Sequence, residues 1–123
     1  LPVALGAAIA CPGRPVVALV SDGSTQYTIQ TLWTLAHEAL PVIVLVAANH
    51  QYAILRNELK RGGAALGAKA QVLTALDSPR IDWVALAAAY GVRGSRAHSV
   101  AELETEFAAA VQSGGPAVIA LAL

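Results

Sequence analysis

The 123-residue chain is 56% hydrophobic and 13% charged, and its eight basic and eight acidic side chains cancel. One domain with a real core fits that length, and zero net charge argues against nucleic acid or an anionic membrane as a partner. The charged share is about half the usual ~25%, which implies burial against something beyond the chain, either further polypeptide or a partner subunit.

Leu1 to Ala10 is helical in composition, with Pro2 tolerable in a first turn. It reads as a helix entered in mid-course, because the chain contains no methionine and lacks the basic region of a secretory signal. The sequence is therefore expected to be a piece of a longer protein. No run of about 18 apolar residues occurs, so no membrane-spanning helix is expected. Cys11-Pro12-Gly13-Arg14-Pro15 ends the opening helix. Cys11 is the single cysteine, which excludes an internal disulfide and fits a reducing, cytoplasmic compartment.

Val16 to Val20 is a valine-rich run, expected as a strand buried on both faces. A helix is expected over roughly Thr25 to Ala39, with Ile29, Leu32, Trp33, Ala36 and Leu40 at i, i+3, i+4, i+7 and i+11. Pro41 separates it from a second strand, Val42 to Ala47. Strand, helix, strand in that order makes a right-handed unit with parallel strands. It brings Asp22 and Asn49 to the carboxyl edge of one sheet, where open α/β sheets bind their ligands.

Tyr52 to Arg61 suits a short helix with Ile54, Leu55 and Leu59 on its apolar side and Arg56 and Lys60 facing solvent. Gly62 to Lys69 is small-residue text expected as a mobile loop. Asp77-Ser78-Pro79-Arg80 is a turn, and Asp82 leads into an alanine-rich helix, Trp83 to Tyr90, closed by Gly91. Val92 is read as a short strand, with a polar connection to Ser99. Ser99-Val100-Ala101-Glu102 matches a capping box, and the helix behind it carries Val100, Leu103, Phe107 and Val111 on one stripe. Gly114-Gly115-Pro116 stops that helix before a last buried strand, Ala117 to Leu123. This alternation predicts one α/β domain over 1–123, a doubly wound parallel sheet flanked by helices.

The chemistry concentrates at the two strand ends. Asp22 offers a carboxylate, Gly23 permits close backbone approach, and Ser24 and Thr25 are expected to start a helix whose free N–H groups attract phosphate. Asn49 brings an amide oxygen to the neighbouring strand end. A carboxylate, an amide oxygen, a loop carbonyl and phosphate oxygens make a shell suited to Mg²⁺, so a divalent ion bridging to a diphosphate is expected. Taken singly, Asp22 reads as a helix cap and Asn49 as a turn residue; their pairing favours the metal. His50 is adjacent, but Mg²⁺ prefers oxygen to imidazole. His37 suits a helix C-terminus, and His98 reads as solvated. Cys11, Trp33 and Trp83 are expected to pack, while Glu102, Glu104 and Glu106 read as a cap and a solvated face.

Ser21-Asp22-Gly23-Ser24 followed by Ala48-Asn49 resembles the G-D-G…N-N motif of thiamine-diphosphate enzymes. The flanks L-P-V-A-L-G-A-A-I-A-C-P-G-R-P-V-V-A-L-V and N-H-Q-Y-A-I-L-R-N-E-L extend the likeness over nearly the whole chain. It is to the C-terminal, diphosphate-binding domain of the acetolactate synthase and benzoylformate decarboxylase group, and Y-A-I-L-R-x-E-L looks closer to acetolactate synthase large subunits. The resemblance implies thiamine diphosphate and Mg²⁺ as cofactors. It implies that Asp22 and Asn49 ligate the metal through side-chain oxygens, and Gln51 through its backbone carbonyl. Gly23 and Ser24 would hold the diphosphate, Tyr27 and Tyr52 would line the pocket, and Ala53, Ile54 and Leu55 would lie near the thiazolium.

The same resemblance implies decarboxylation or carboligation of a 2-keto acid by a homodimer or homotetramer, with FAD possible in a middle domain of the parent. Family members activate the cofactor with a glutamate from an N-terminal domain of a neighbouring subunit. Nothing here matches its context, so no catalytic residue is expected within this chain. Two positions depart from the motif: Ser21 replaces its first glycine and Ala48 its first asparagine, while the metal-ligand positions survive. Two other classes compete with this reading. A Rossmann-type oxidoreductase lacks support, with no G-x-G-x-x-G after the first strand and no acid at the end of the second. A non-catalytic α/β module finds its support in Ser21 and Ala48.

Overall fold

The computed structural model describes residues 1–122. In chain order these form α1 (Pro2–Ala10), β1 (Val16–Ser21), α2 (Asp22–Gln26), α3 (Thr31–His37), β2 (Val42–Ala48) and α4 (Ala53–Arg61). There follow α5 (Ala68–Leu73), α6 (Trp83–Ala89), β3 (Arg93–Ala97), α7 (Val100–Ser113) and β4 (Ala117–Ala122). Leu123, the expected end of the last strand, lies outside the described residues.

The four strands make one parallel sheet in the order β1-β2-β4-β3. Helices cover both faces, as a doubly wound α/β sheet requires. On one face α1, α3 and α6 bury Ala8, Leu32, Leu35, Trp83 and Ala87 against Val42, Val44, Val46, Val118 and Ala120. On the other, α7 lays Leu103, Phe107 and Ala110 over Ile43, Ala117 and Ile119. No helix among the described residues is long and apolar enough to cross a membrane.

The sheet departs from the sequence reading at both its edges. β1 is not buried on both faces: Val17 and Leu19 stand 48% and 69% exposed, because β1 ends the sheet and α7 packs across β2, β4 and β3 instead. At the other edge, β3 occupies Arg93–Ala97, which reads as a polar connection. An outer strand half open to solvent needs no apolar run, so its polar text gave no strand signal.

The expected helix over 25–39 is two helices. Thr31, Leu32 and Trp33 each bond to the carbonyl three residues back, so the chain passes through tight i→i+3 turns before α3. That rotation buries Leu35 fully and leaves Trp33 57% exposed. The Trp33 indole stacks on His37 at 4.8 Å rather than joining the core. α5 forms partly within the expected loop, since Ala68-Lys69-Ala70-Gln71 are good helix formers.

The end of α6 and both ends of α7 follow the sequence closely. Gly91 and Gly114 take φ of +74° and +66°, turning the chain after α6 and α7. Ser99 Oγ accepts from Glu102 N at 3.2 Å, while Glu102 Oε2 accepts from His98 N rather than from the cap itself. Of the expected stripe, Leu103 and Phe107 pack, whereas Val100 and Val111 are exposed and Ala110 takes the buried position.

Candidate cofactor site

Ser21 pairs in register with Ala47, so β1 and β2 release the chain side by side at one sheet edge. Asp22 follows Ser21 directly and begins α2, two positions earlier than the sequence suggested. Ser21 is the cap of that helix: its Oγ accepts from Ser24 N at 3.4 Å and donates to Ser24 Oγ at 2.9 Å. The serine found where the motif has glycine therefore has work of its own. Ser24 is left to offer its hydroxyl, since its N–H is already taken.

Asp22 is 1% exposed. Its Oδ1 accepts from Gly23 N at 2.8 Å, and its Oδ2 accepts from His50 N at 2.7 Å. His50 reaches that position by taking a left-handed φ of +56°, which turns the chain sharply after Asn49. Asn49 Oδ1 accepts from Gln51 N at 3.1 Å, which fixes the amide's orientation and leaves a lone pair open. The Gln51 carbonyl accepts no backbone hydrogen bond among the described residues.

Behind this turn the chain is braced. Leu76 N donates to His50 O at 2.8 Å, and Tyr52 N donates to Thr74 O at 2.9 Å, clamping the β2–α4 connection against the end of α5. Arg56, expected in solvent, is drawn into this brace. Its Nη1 donates to Gln51 Oε1, its Nε to Thr74 Oγ1 at 2.8 Å, and its Nη2 to Gln71 O at 3.3 Å. Neither Arg56 nor Thr74 stands out in the sequence, because their partners lie on a segment that reads as loop.

Gly23 lies under the Tyr52 ring. A Cβ there would sit 2.6 Å from Tyr52 Cε1, so glycine is required by close approach rather than by an unusual φ. The cleft over these elements, about 230 Å³, brings together Gly23, Ser24, Tyr27, Asn49, Gln51, Tyr52, Ala53 and Ile54, with Leu55 at its side. Tyr27, Ile54 and Leu55 are exposed at 79%, 67% and 50%. Asp22 is not among its walls, being buried beside it. Ala48 is buried in the core and contributes no polar atom.

These groups suit a hard cation. A buried carboxylate is costly unless a positive partner compensates it, and among the described residues Asp22 has no ion-pair partner. With two N–H groups bound, its oxygens keep lone pairs, and Asn49 Oδ1 and the Gln51 carbonyl add two more oxygen donors. No group of three His, Cys, Asp or Glu side chains gathers among the described residues.

The family model described as "Thiamine pyrophosphate enzyme, C-terminal TPP binding domain" matches residues 1–121. A protein of Mycobacterium tuberculosis (strain ATCC 25618 / H37Rv), provisionally named acetolactate synthase large subunit IlvX, is 42% identical over 121 residues. The benzoylformate decarboxylase of Pseudomonas aeruginosa is 33% identical over 119 residues. Each alignment takes in 97% of this chain but only 24% and 21% of the relative, so the chain spans less than a quarter of either. Among solved structures, a thiamine diphosphate-dependent 4-hydroxybenzoylformate decarboxylase of Rhodococcus jostii RHA1 superposes with a TM-score of 0.83 at 35% identity. That superposition covers 98% of this chain and 22% of the other.

Proposed function

Because the chain belongs to the thiamine pyrophosphate enzymes as their C-terminal TPP-binding domain, we propose that Asp22, Asn49 and Gln51 would hold the Mg²⁺ ion that accompanies the cofactor's diphosphate. The whole protein is then a decarboxylase or carboligase of 2-keto acids. The observation that carries the metal is the buried Asp22 carboxylate, held by two backbone N–H groups with no cationic partner, at the same sheet edge as Asn49. When bound, thiamine diphosphate supplies the carbanion chemistry by which 2-keto acids lose carbon dioxide.

The chain's own residues bind and orient. Backbone donors set the orientation of the Asp22 carboxylate and the Asn49 amide before any ligand arrives. Arg56 holds the Gln51 side chain and thereby the backbone that presents the Gln51 carbonyl. The Ser24 hydroxyl, tethered to Ser21, faces the cleft for a phosphate oxygen. Tyr27, Tyr52, Ala53 and Ile54 supply the apolar wall that would shield the reactive ring from water.

Of the finer readings, an acetolactate synthase-like activity draws support from the 42% identical relative, and a benzoylformate decarboxylase-like activity from the superposed decarboxylase. Exposed Val17, Leu19, Ile54, Leu55, Val72 and Leu73 support burial against further polypeptide in a homodimer or homotetramer. A cytoplasmic setting belongs to the same reading. Calorimetric titration of thiamine diphosphate into the full-length protein, with Mg²⁺ and with EDTA, tests the site. Binding that needs the metal and disappears in Asp22→Ala is expected; binding indifferent to EDTA would overturn the metal assignment. Turnover of pyruvate against benzoylformate separates the two activities.

A further inference from the structure

A second cavity, of about 120 Å³, opens on the other side of the β2–α4 connection, at the carboxyl ends of β2, β4 and β3. Its wall is apolar where Ala48, Ile81, Trp83, Ala120 and Leu121 meet, and cationic where Arg80 and Arg96 stand. Trp83 is 2% exposed, and its indole Nε1 is buried with no hydrogen-bond partner. Buried donors are almost always paired, so an orphan on a cavity wall points to an acceptor that belongs there.

The charges around the cavity favour an anion. Among the described residues Arg80 has no ion-pair partner, although its backbone pairs with Asp77. Arg96 Nη2 reaches Asp82 Oδ1 at 3.4 Å, but that oxygen also takes the Val84 and Ala85 N–H groups as the cap of α6. The carboxylate is thus shared three ways and only partly offsets Arg96. Two guanidiniums and an unpaired indole N–H, all on residues that line the cavity, are therefore set against one weakened carboxylate.

We propose that this cavity is a binding site for a short-chain organic carboxylate, separate from the cofactor cleft. The carboxylate group meets the Arg80 guanidinium and the Trp83 N–H, and a short aliphatic body lies against Ala48, Ala120 and Leu121. Guanidinium suits this task because its fork of donors matches a carboxylate. The small volume excludes a nucleotide, since pockets for larger ligands run to roughly 300–1,000 Å³. The apolar wall distinguishes the ligand from inorganic phosphate, which would leave that surface without a partner.

The test titrates isobutyrate into the full-length protein, followed by saturation-transfer NMR, with isobutyramide and inorganic phosphate as comparison probes. Isobutyrate is expected to bind, isobutyramide is not, and saturating thiamine diphosphate with Mg²⁺ is expected to leave isobutyrate in place. Arg80→Gln should weaken isobutyrate at least fivefold while changing thiamine diphosphate affinity less than twofold. Arg80 is exposed, so its loss does not threaten folding. Trp83→Phe, which keeps the ring and removes the N–H, should weaken isobutyrate as well, with circular dichroism confirming the fold. Absence of isobutyrate binding, unchanged affinity in Arg80→Gln, or displacement by thiamine diphosphate would each overturn the site. Phosphate binding more tightly than isobutyrate would overturn the carboxylate class.

Discussion

The backbone N–H of His50 donates to Asp22 Oδ2 at 2.7 Å, joining positions 28 residues apart at the ends of β1 and β2. The bond exists because His50 adopts φ +56°, a left-handed conformation that costs an ordinary side chain free energy. A β-branched residue tolerates it worst. His50→Val is expected to destabilise the fold by about 1–2 kcal/mol, with His50→Gly within about 0.5 kcal/mol of wild type. Urea denaturation of the full-length protein measures both. Equal stability of the Val and Gly variants would show that this turn carries no strain.

Asp22→Asn tests the charge rather than the shape. The amide has one oxygen for two N–H donors, so the variant is expected to fold with one bond lost, at about 1 kcal/mol. Its metal response is expected to vanish. Ligand at 100 times its Kd stabilises a native protein by about 2.7 kcal/mol, and that Mg²⁺- and thiamine diphosphate-dependent rise in Tm should be present in wild type and missing in Asp22→Asn. A rise of the same size in both would place the cation elsewhere.

Gly23→Ala drives a methyl group into the Tyr52 ring, 2.6 Å from Cε1. Overpacking of this kind costs about 1–3 kcal/mol, and the ring is expected to swing and narrow the cleft. The cost belongs to the contact, so Gly23→Ala in a Tyr52→Ala background should be nearly free. A double-mutant cycle with a coupling energy near zero would instead assign the glycine to backbone conformation.

Arg56→Lys keeps the charge and loses the fork. A single ammonium cannot serve Gln51 Oε1, Thr74 Oγ1 and Gln71 O together. The variant is expected to lose about 1–2 kcal/mol and to raise amide exchange across 66–76 more than in β2. Unchanged exchange there would mean that backbone bonds alone hold α5.

The parallel sheet and its site edge were legible in the sequence because hydrophobic burial writes them directly. Val42 to Ala48 lies buried between two helical layers, and its end places Asn49 beside Asp22 whatever the loops do. What was illegible depends on where helices rest. The exposure of Val17 and Leu19 is set by how far α7 reaches, and β3 carries no apolar run for a pattern to catch. The brace from Arg56 to Thr74 joins residues whose approach is created by the fold of 62–76, and a charged side chain on a short helix gives no hint of it.

Since all four strands run the same way, the turns entering the sheet lie at its opposite rim from Asp22 and Asn49. Cys11 sits exposed at that far rim, just before β1, and is the chain's single thiol. The geometry therefore supplies a natural handle: a dye or surface tether attached through Cys11 leaves the edge that carries Asp22 and Asn49 unobstructed.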